Sequence, residues 1–253
     1  MPDRMINATP SLFTMQPSDS SKEGVDAAST VPGSRVWRVR LASASQRRSV
    51  WLRRRFSGSE VQIEQKPLAS SEPIASRSGS VEQQVASILV WKTHAAATEV
   101  ALESVSADRD QVTGPMPDVI IVADTLVEDP DDAALSLGQP ADAGQAAAML
   151  QRLSGRRHRV WSGTAILLPD PESGWRKAVC SVSAVESATV EVERLGRADL
   201  AGLLEDGGWR GKAGAYDLAG QMQEHATLVA GAEVCVLGFA LTAIEDMQRS
   251  MAG

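Results

Sequence analysis

Apolar and charged residues alternate at a period of two in Val36-Trp-Arg-Val-Arg-Leu41, the spacing of a strand with one face toward a core. A turn of small residues follows, and Ser45 is a suitable cap for a helix over residues 46–56, whose Val50, Trp51, Leu52 and Phe56 share one face. Residues 81–102 contain no Gly or Pro and are rich in Ala, Gln and Glu, which predicts a long helix carrying Lys92. On either side of it, 68–80 and 106–118 have the composition of loops. The continuous apolar run Val119-Ile-Ile-Val-Ala123 predicts a strand covered on both faces that ends at Asp124, and strand ends are where α/β sheets place ligands.

Farther on, Ala146, Met149, Leu150 and Leu153 recur at helical spacing over 143–153, with Ser154-Gly155 as the stop. Residues 158–168 and 180–195 read as strands separated by the turn chemistry of Pro-Asp-Pro-Glu-Ser-Gly. A short helix over 197–205, a Gly-rich loop over 207–220, a strand through Leu237 and a terminal helix from Leu241 complete the expected order. Residues 1–34 are rich in Ser, Thr, Pro, Asp and Ala and are expected to form a disordered arm, leaving 35–253 as a single α/β domain.

At 253 residues with 43% apolar content the chain is long enough to bury a sizeable core. A net charge of −7 argues against duplex nucleic acid as the main partner, since phosphate neutralisation needs a broadly basic face. Cys180 and Cys235 both sit in apolar strand-like runs and read as buried thiols of a reducing compartment. No apolar run reaches the roughly 18 residues of a membrane span, and 1–34 lack the apolar core of a signal peptide, so a cytoplasmic protein with no membrane partner is expected.

Four constellations are candidates for chemistry. Ser43, Ser45, Arg47 and Arg48 lie at a strand-to-helix turn, where unpaired N–H groups, hydroxyls and guanidinium groups can hold phosphates; Ser45 serves equally as a plain helix cap beside solvated arginines. Asp124-Thr125 could supply a general base or a metal ligand, or an ordinary turn. His158 follows Leu153-Ser-Gly-Arg-Arg157, and a lone His in such a connection is more often structural than catalytic. Lys212-Ala-Gly-Ala-Tyr216 joins a cation to small residues that let backbone approach a ligand, which describes a packing turn as well. Glu128, Asp129, Asp131 and Asp132 miss calcium-loop spacing and read as a solvated acidic loop, and no Cys/His pair has zinc-ligand spacing.

In this order the segments resemble the Maf, or septum-formation-inhibitor-like, family of nucleotide pyrophosphatases over about 36–247. Leu41-Ala-Ser-Ala-Ser-Gln-Arg-Arg48 resembles the family's opening Leu-Ala-Ser-x-Ser-Pro-Arg-Arg, and Val122-Ala-Asp-Thr125 its Gly-Ala-Asp-Thr. Gly138-Gln-Pro and Leu153-Ser-Gly-Arg156 resemble its Gly-Lys-Pro and Leu-Ser-Gly-Arg, and Lys212-Ala-Gly-Ala-Tyr216 matches directly. The resemblance implies an elongated, mixed-sheet α/β fold of the anticodon-binding or ITPase-like kind, two lobes around a cleft, and a homodimer. It further implies hydrolysis of a modified or pyrimidine nucleoside triphosphate to the monophosphate and pyrophosphate with Mg²⁺ or Mn²⁺. Carried over by position, Ser43, Ser45, Arg47, Arg48, Lys92, Thr125 and Lys212 would bind substrate, and Asp124 would be the catalytic carboxylate and metal ligand.

The chain departs from the pattern at several places. Gln65 stands where the family's second acidic residue is expected, with Glu64 before it; Gln139 replaces the lysine of Gly-Lys-Pro; Ala219 replaces a glutamine, with Gln221 near; and Gly238-Phe-Ala240 replaces Gly-Leu-Pro. The resemblance therefore implies either an enzyme with an altered site or a catalytically degenerate nucleotide-binding or regulatory protein. A structural dimer without a nucleotide role is a third reading.

Overall fold

The two-residue alternation buries Val39 and Leu41 completely in β1 (Trp37–Leu41). Ser45 then caps α1 (Gln46–Arg55) by accepting from the Arg48 N–H, and buried Leu52 anchors the helix. The computed structural model describes residues 35–70, 78–110 and 114–252, all within one compact unit, Arg35–Gly253. The expected arm through Ser34 lies outside the described residues.

After α1 come β2 (Val61–Gln65), α2 (Val81–Asp110), β3 (Val119–Asp129), β4 (Asp132–Leu137), α3 (Ala143–Leu153), β5 (Arg157–Asp170) and β6 (Gly174–Val192). The chain closes with α4 (Arg197–Asp206), β7 (Ala226–Ala230), α5 (Glu233–Leu237) and α6 (Leu241–Ala252). One seven-stranded sheet runs β2-β1-β3-β5-β6-β7, with β4 added to β3. The pairs β2-β1 and β1-β3 are parallel, and every pair from β3 onward is antiparallel. This is the expected mixed sheet with flanking helices.

β3 is the central element, and its period sorts its side chains. Val119, Ile121 and Ala123 face a core shared with Leu52 of α1, Phe239, and Ile244 and Met247 of α6. Ile120 and Val122 face the other way, onto Leu89, Ala96 and Val100 of α2. A separate core gathers Leu150 and Leu153 of α3 with Val160, Val190, Trp209, Tyr216 and Met222.

Several expectations are corrected. The strand at 119–123 does not stop at Asp124 but runs on to Asp129, because its antiparallel pairing with β5 is unbroken from Ile120↔Leu167 to Val127↔Val160 and β4 then pairs Glu128 and Asp129. Glu128 and Asp129 are not solvated: both are buried, Glu128 accepting from Arg159 and Trp161 and Asp129 from Arg152, and only Asp131 and Asp132 lie exposed in the turn to β4. Residues 106–110 continue α2 instead of beginning a loop. The expected strand through Leu237 is split into β7 and the short helix α5. Cys235 is buried in that helix, where burial pushes its thiol up to about 12, whereas Cys180 is exposed on β6.

Candidate active site

The site is a gap in the sheet. β1 accompanies β3 only to the register Leu41↔Ile121 and then leaves to form the turn into α1. On that same edge β4 joins β3 only from Val127↔Leu137 onward. Between them β3 keeps one neighbour, β5, and a cleft of about 290 Å³ opens beside Asp124 and Thr125. Its walls come from the turn after β1 (Ser43, Ser45, Arg47, Arg48), the segment after β2 (Pro67, Leu68, Ser70), Lys92, Gln139, Gly211 and Ala213.

Side-chain parity places the reactive pair. Asp124 shares the β3 face of Ile120 and Val122, toward α2, and Lys92 lies on the inner α2 face three residues after Leu89 and four before Ala96. Lys92 Nζ reaches Asp124 Oδ1 at 2.7 Å, with both residues buried. A buried ion pair holds a defined geometry but forfeits the hydration of both ions, so its presence beside a cleft is a functional signal more than a stabilising one. The other carboxylate oxygen, Oδ2, is shut away from solvent with no hydrogen-bond partner. α2 comes this close because residue 163 on β5, registered opposite Asp124, is a glycine; a Cβ there would stand 3.0 Å from Val85 Cγ1 and 3.1 Å from Leu89 Cδ2.

Thr125 faces the opposite way, toward α1, where it meets Arg48. The Arg48 guanidinium donates to the Gly238 carbonyl (2.9 Å), Ser43 Oγ (3.0 Å), the Ala123 carbonyl (3.1 Å) and Thr125 Oγ1 (2.8 Å). It lines the cleft but ties the turn, β3 and the segment before α6 together. Gly238 makes this possible: its φ is +119°, and a Cβ there would lie 2.6 Å from Arg48 Nε. Arg47 also lines the cleft, and its Nη1 lies 3.4 Å from Asp217 Oδ1. Ser43 and Ser45 sit in the cleft wall, and the Ser45 N–H donates to Ser43 Oγ at 3.2 Å.

Of the remaining candidates, Lys212 is not itself a wall residue; its neighbours Gly211 and Ala213 are, while its Nζ points 3.6 Å from Asp217 Oδ2. The loop is docked by the Gly214 N–H on the Gly138 carbonyl (3.1 Å). His158 belongs to the core: its Nε2 shares a 2.8 Å hydrogen bond with the buried Tyr216 hydroxyl, and burial lowers its pKa to about 4. It is thus a structural histidine.

The departures acquire physical content. Gln65 Nε2 donates to the Ser43 carbonyl (2.9 Å) and reaches that of Ser45 (3.4 Å), a brace that a carboxylate could not provide. Gln139 is an exposed part of the cleft wall. Phe239 packs against Trp51 in the core, ring centroids 5.4 Å apart, so that replacement concerns packing and not the cleft. Glu99 is a residue the sequence did not flag: its carboxylate accepts from the Ala69 and Ser70 N–H groups and from Ser70 Oγ, pinning the wall after β2 to α2. Asp217 also escaped notice, although it directly follows the Lys-Ala-Gly-Ala-Tyr motif.

Among the described residues no three His, Cys, Asp or Glu side chains gather to hold a metal, and Asp124 is the only carboxylate in the cleft wall. Magnesium commonly takes one or two carboxylates and completes its octahedron with water and substrate phosphate. The unpartnered Oδ2 of Asp124 fits that mode.

A family model described as Maf-like protein matches residues 38–251. Relatives named dTTP/UTP pyrophosphatase include one from Roseobacter denitrificans, 37% identical over 127 residues, which covers 49% of this chain and 60% of that protein. Another, from a Ruegeria species, is 34% identical over 52% of this chain and 62% of that protein. The chain thus spans about 60% of the length of the curated relatives it matches. Among solved structures, the Staphylococcus aureus Ham1 protein aligns at a TM-score of 0.35 and 15% identity, over 61% of this chain and 71% of that one. No described helix is long and apolar enough to cross a membrane.

Proposed function

Because this chain belongs to the Maf-like protein family, we propose that it hydrolyses a pyrimidine nucleoside triphosphate, of the dTTP or UTP kind, to the monophosphate and pyrophosphate. The observation that carries this reading is the buried Lys92–Asp124 pair in a cleft whose other polar walls are hydroxyls, guanidinium groups and the Gln139 amide. The names of the relatives supply the base preference.

In this mechanism Ser43 and Ser45 donate hydroxyls, and Arg47, Lys92 and Lys212 supply charge, to a triphosphate lying along the gap. Arg48 keeps the Ser43 turn and Thr125 in register with β3 and acts on substrate through them. A divalent cation, Mg²⁺ or Mn²⁺, would be held by Asp124 and would supply charge neutralisation and a more acidic water. Lys92 on Oδ1 orients the Asp124 carboxylate and leaves Oδ2 to accept a proton or bind the cation. Water attacks the α-phosphorus, forming a new P–O bond. The bond from the α-phosphorus to the bridging oxygen breaks, pyrophosphate leaves with that oxygen and its electron pair, and the water proton passes to the base. Pro67 and Leu68 give the cleft an apolar wall on which a base could rest. A cytoplasmic homodimer is the assembly expected for this activity.

The test is pyrophosphate release from canonical and modified nucleoside triphosphates with Mg²⁺ or Mn²⁺, for the wild type and Asp124→Asn in parallel. The wild type should release pyrophosphate from pyrimidine substrates, and Asp124→Asn should lose about a hundredfold or more while remaining folded. A second reading, a degenerate nucleotide binder, is favoured by one observation: the amide of Gln65 braces the Ser43 turn where a second acid would stand. Saturable nucleotide binding without release of pyrophosphate by the wild type would select it.

A further inference from the structure

Two cations at the cleft are already engaged by an anion of the protein itself. Asp217 lies with Oδ1 3.4 Å from Arg47 Nη1 and Oδ2 3.6 Å from Lys212 Nζ, all three side chains about four-fifths buried. Both separations are long for ion pairs, so neither cation is locked. Arg47 also keeps a donor to spare, its Nε being buried with no hydrogen-bond partner. Asp217 itself is fixed, because its Oδ1 accepts the Ala219 N–H at 3.1 Å and its carbonyl accepts the Gly220 N–H at 3.0 Å. Arg47 belongs to the cleft wall, and Lys212 lies between wall residues Gly211 and Ala213. A rigid carboxylate thus faces two adaptable cations at the place where a polyanion would need them.

We propose that Asp217 is an internal counter-ion of the phosphate site: it holds Arg47 and Lys212 when the cleft is free, gives both cations up to an entering polyphosphate, and recaptures them as the product leaves. This deepens, and rests on, the reading of the cleft as a nucleotide site. Drawing the two cations away from Asp217 weakens every ligand that recruits them, products included. The residue therefore speeds release at the cost of affinity, and it acts through Arg47 and Lys212 without touching the reacting atoms.

The experiment is calorimetric titration of the full chain with inorganic pyrophosphate, without added metal and at low salt, so that no turnover is needed. Asp217→Asn keeps an acceptor for the Ala219 N–H and removes the charge; it should bind pyrophosphate about three- to tenfold more tightly than the wild type, the range expected for two partly exposed pairs. Asp217→Ser should do the same and serves if the Asn variant fails to fold, while Asp217→Glu should stay near the wild type. In a Lys212→Gln background the gain should shrink, and in turnover Asp217→Asn should lower KM and kcat together. Equal or weaker pyrophosphate binding by both neutral variants overturns the counter-ion role and leaves the cleft reading intact. Absence of binding by the wild type overturns both.

Discussion

Burial of His158 ties one imidazole to the pH dependence of the fold. Its pKa is lowered from 6.5 to about 4 in the folded protein, so between those values the unfolded chain binds more protons, and stability rises with pH. The contribution is fully present above 6.5 and is lost as pH falls through 6.5 toward about 4. Urea titrations at pH 7.5 and 5 should show a loss at the lower pH, on the order of 2 kcal/mol from this group, and His158→Gln should lower stability at neutral pH but flatten that dependence. The residue was legible in the sequence only as an ordinary structural histidine, since its partner Tyr216 lies 58 positions away. Ser43, Ser45, Arg47, Lys92, Asp124 and Thr125 were legible as a set, because the order of their motifs carries the resemblance that places them together. Asp217 and Glu99 were not, because each acts through contacts that no local spacing encodes.

Among the elements, β3 and α2 decide the site together. Gly163 of β5 lets α2 lie close to the sheet, and this brings Lys92 within reach of Asp124. Gly163→Val should cost about 1–3 kcal/mol through overpacking against Val85 and Leu89, read by thermal or urea unfolding, and should lower pyrophosphate release by widening the Lys92–Asp124 separation. Unchanged pyrophosphate release and unchanged stability in this variant would show that α2 adapts. The length of β3 was hidden in the sequence because Asp124, Thr125, Glu128 and Asp129 break its apolar run; pairing with β5 keeps the first two in the strand and pairing with β4 the last two, and Lys92, Ser162, Arg159 and Arg152 supply their partners. The misread helix α5 failed for the opposite reason. Val234-Cys-Val-Leu237 is a short apolar run with no period to tell helix from strand. Gly238, with φ +119°, ends it, and the Arg48 guanidinium fills the space a Cβ would take; Gly238→Ala should cost about 1–3 kcal/mol and disturb the Ser43 turn with it.

For the whole molecule, the mixed sheet and its helices follow from periodicity and from the order of motifs, whereas the gap in the sheet does not, since it depends on where β1 departs and where β4 arrives. The walls of that gap are drawn from segments spread between positions 42 and 213. No part of the chain can therefore present the site alone, and a ligand that fits it binds only the folded chain. Thermodynamic linkage turns this into a reporter: a ligand at about a hundred times its Kd adds about 2.7 kcal/mol to the stability of the whole unit. Melting curves across a panel of nucleotides and their products would then rank occupants of the gap without any turnover, and a variant such as Asp124→Asn would be read the same way, by the temperature at which it unfolds with each.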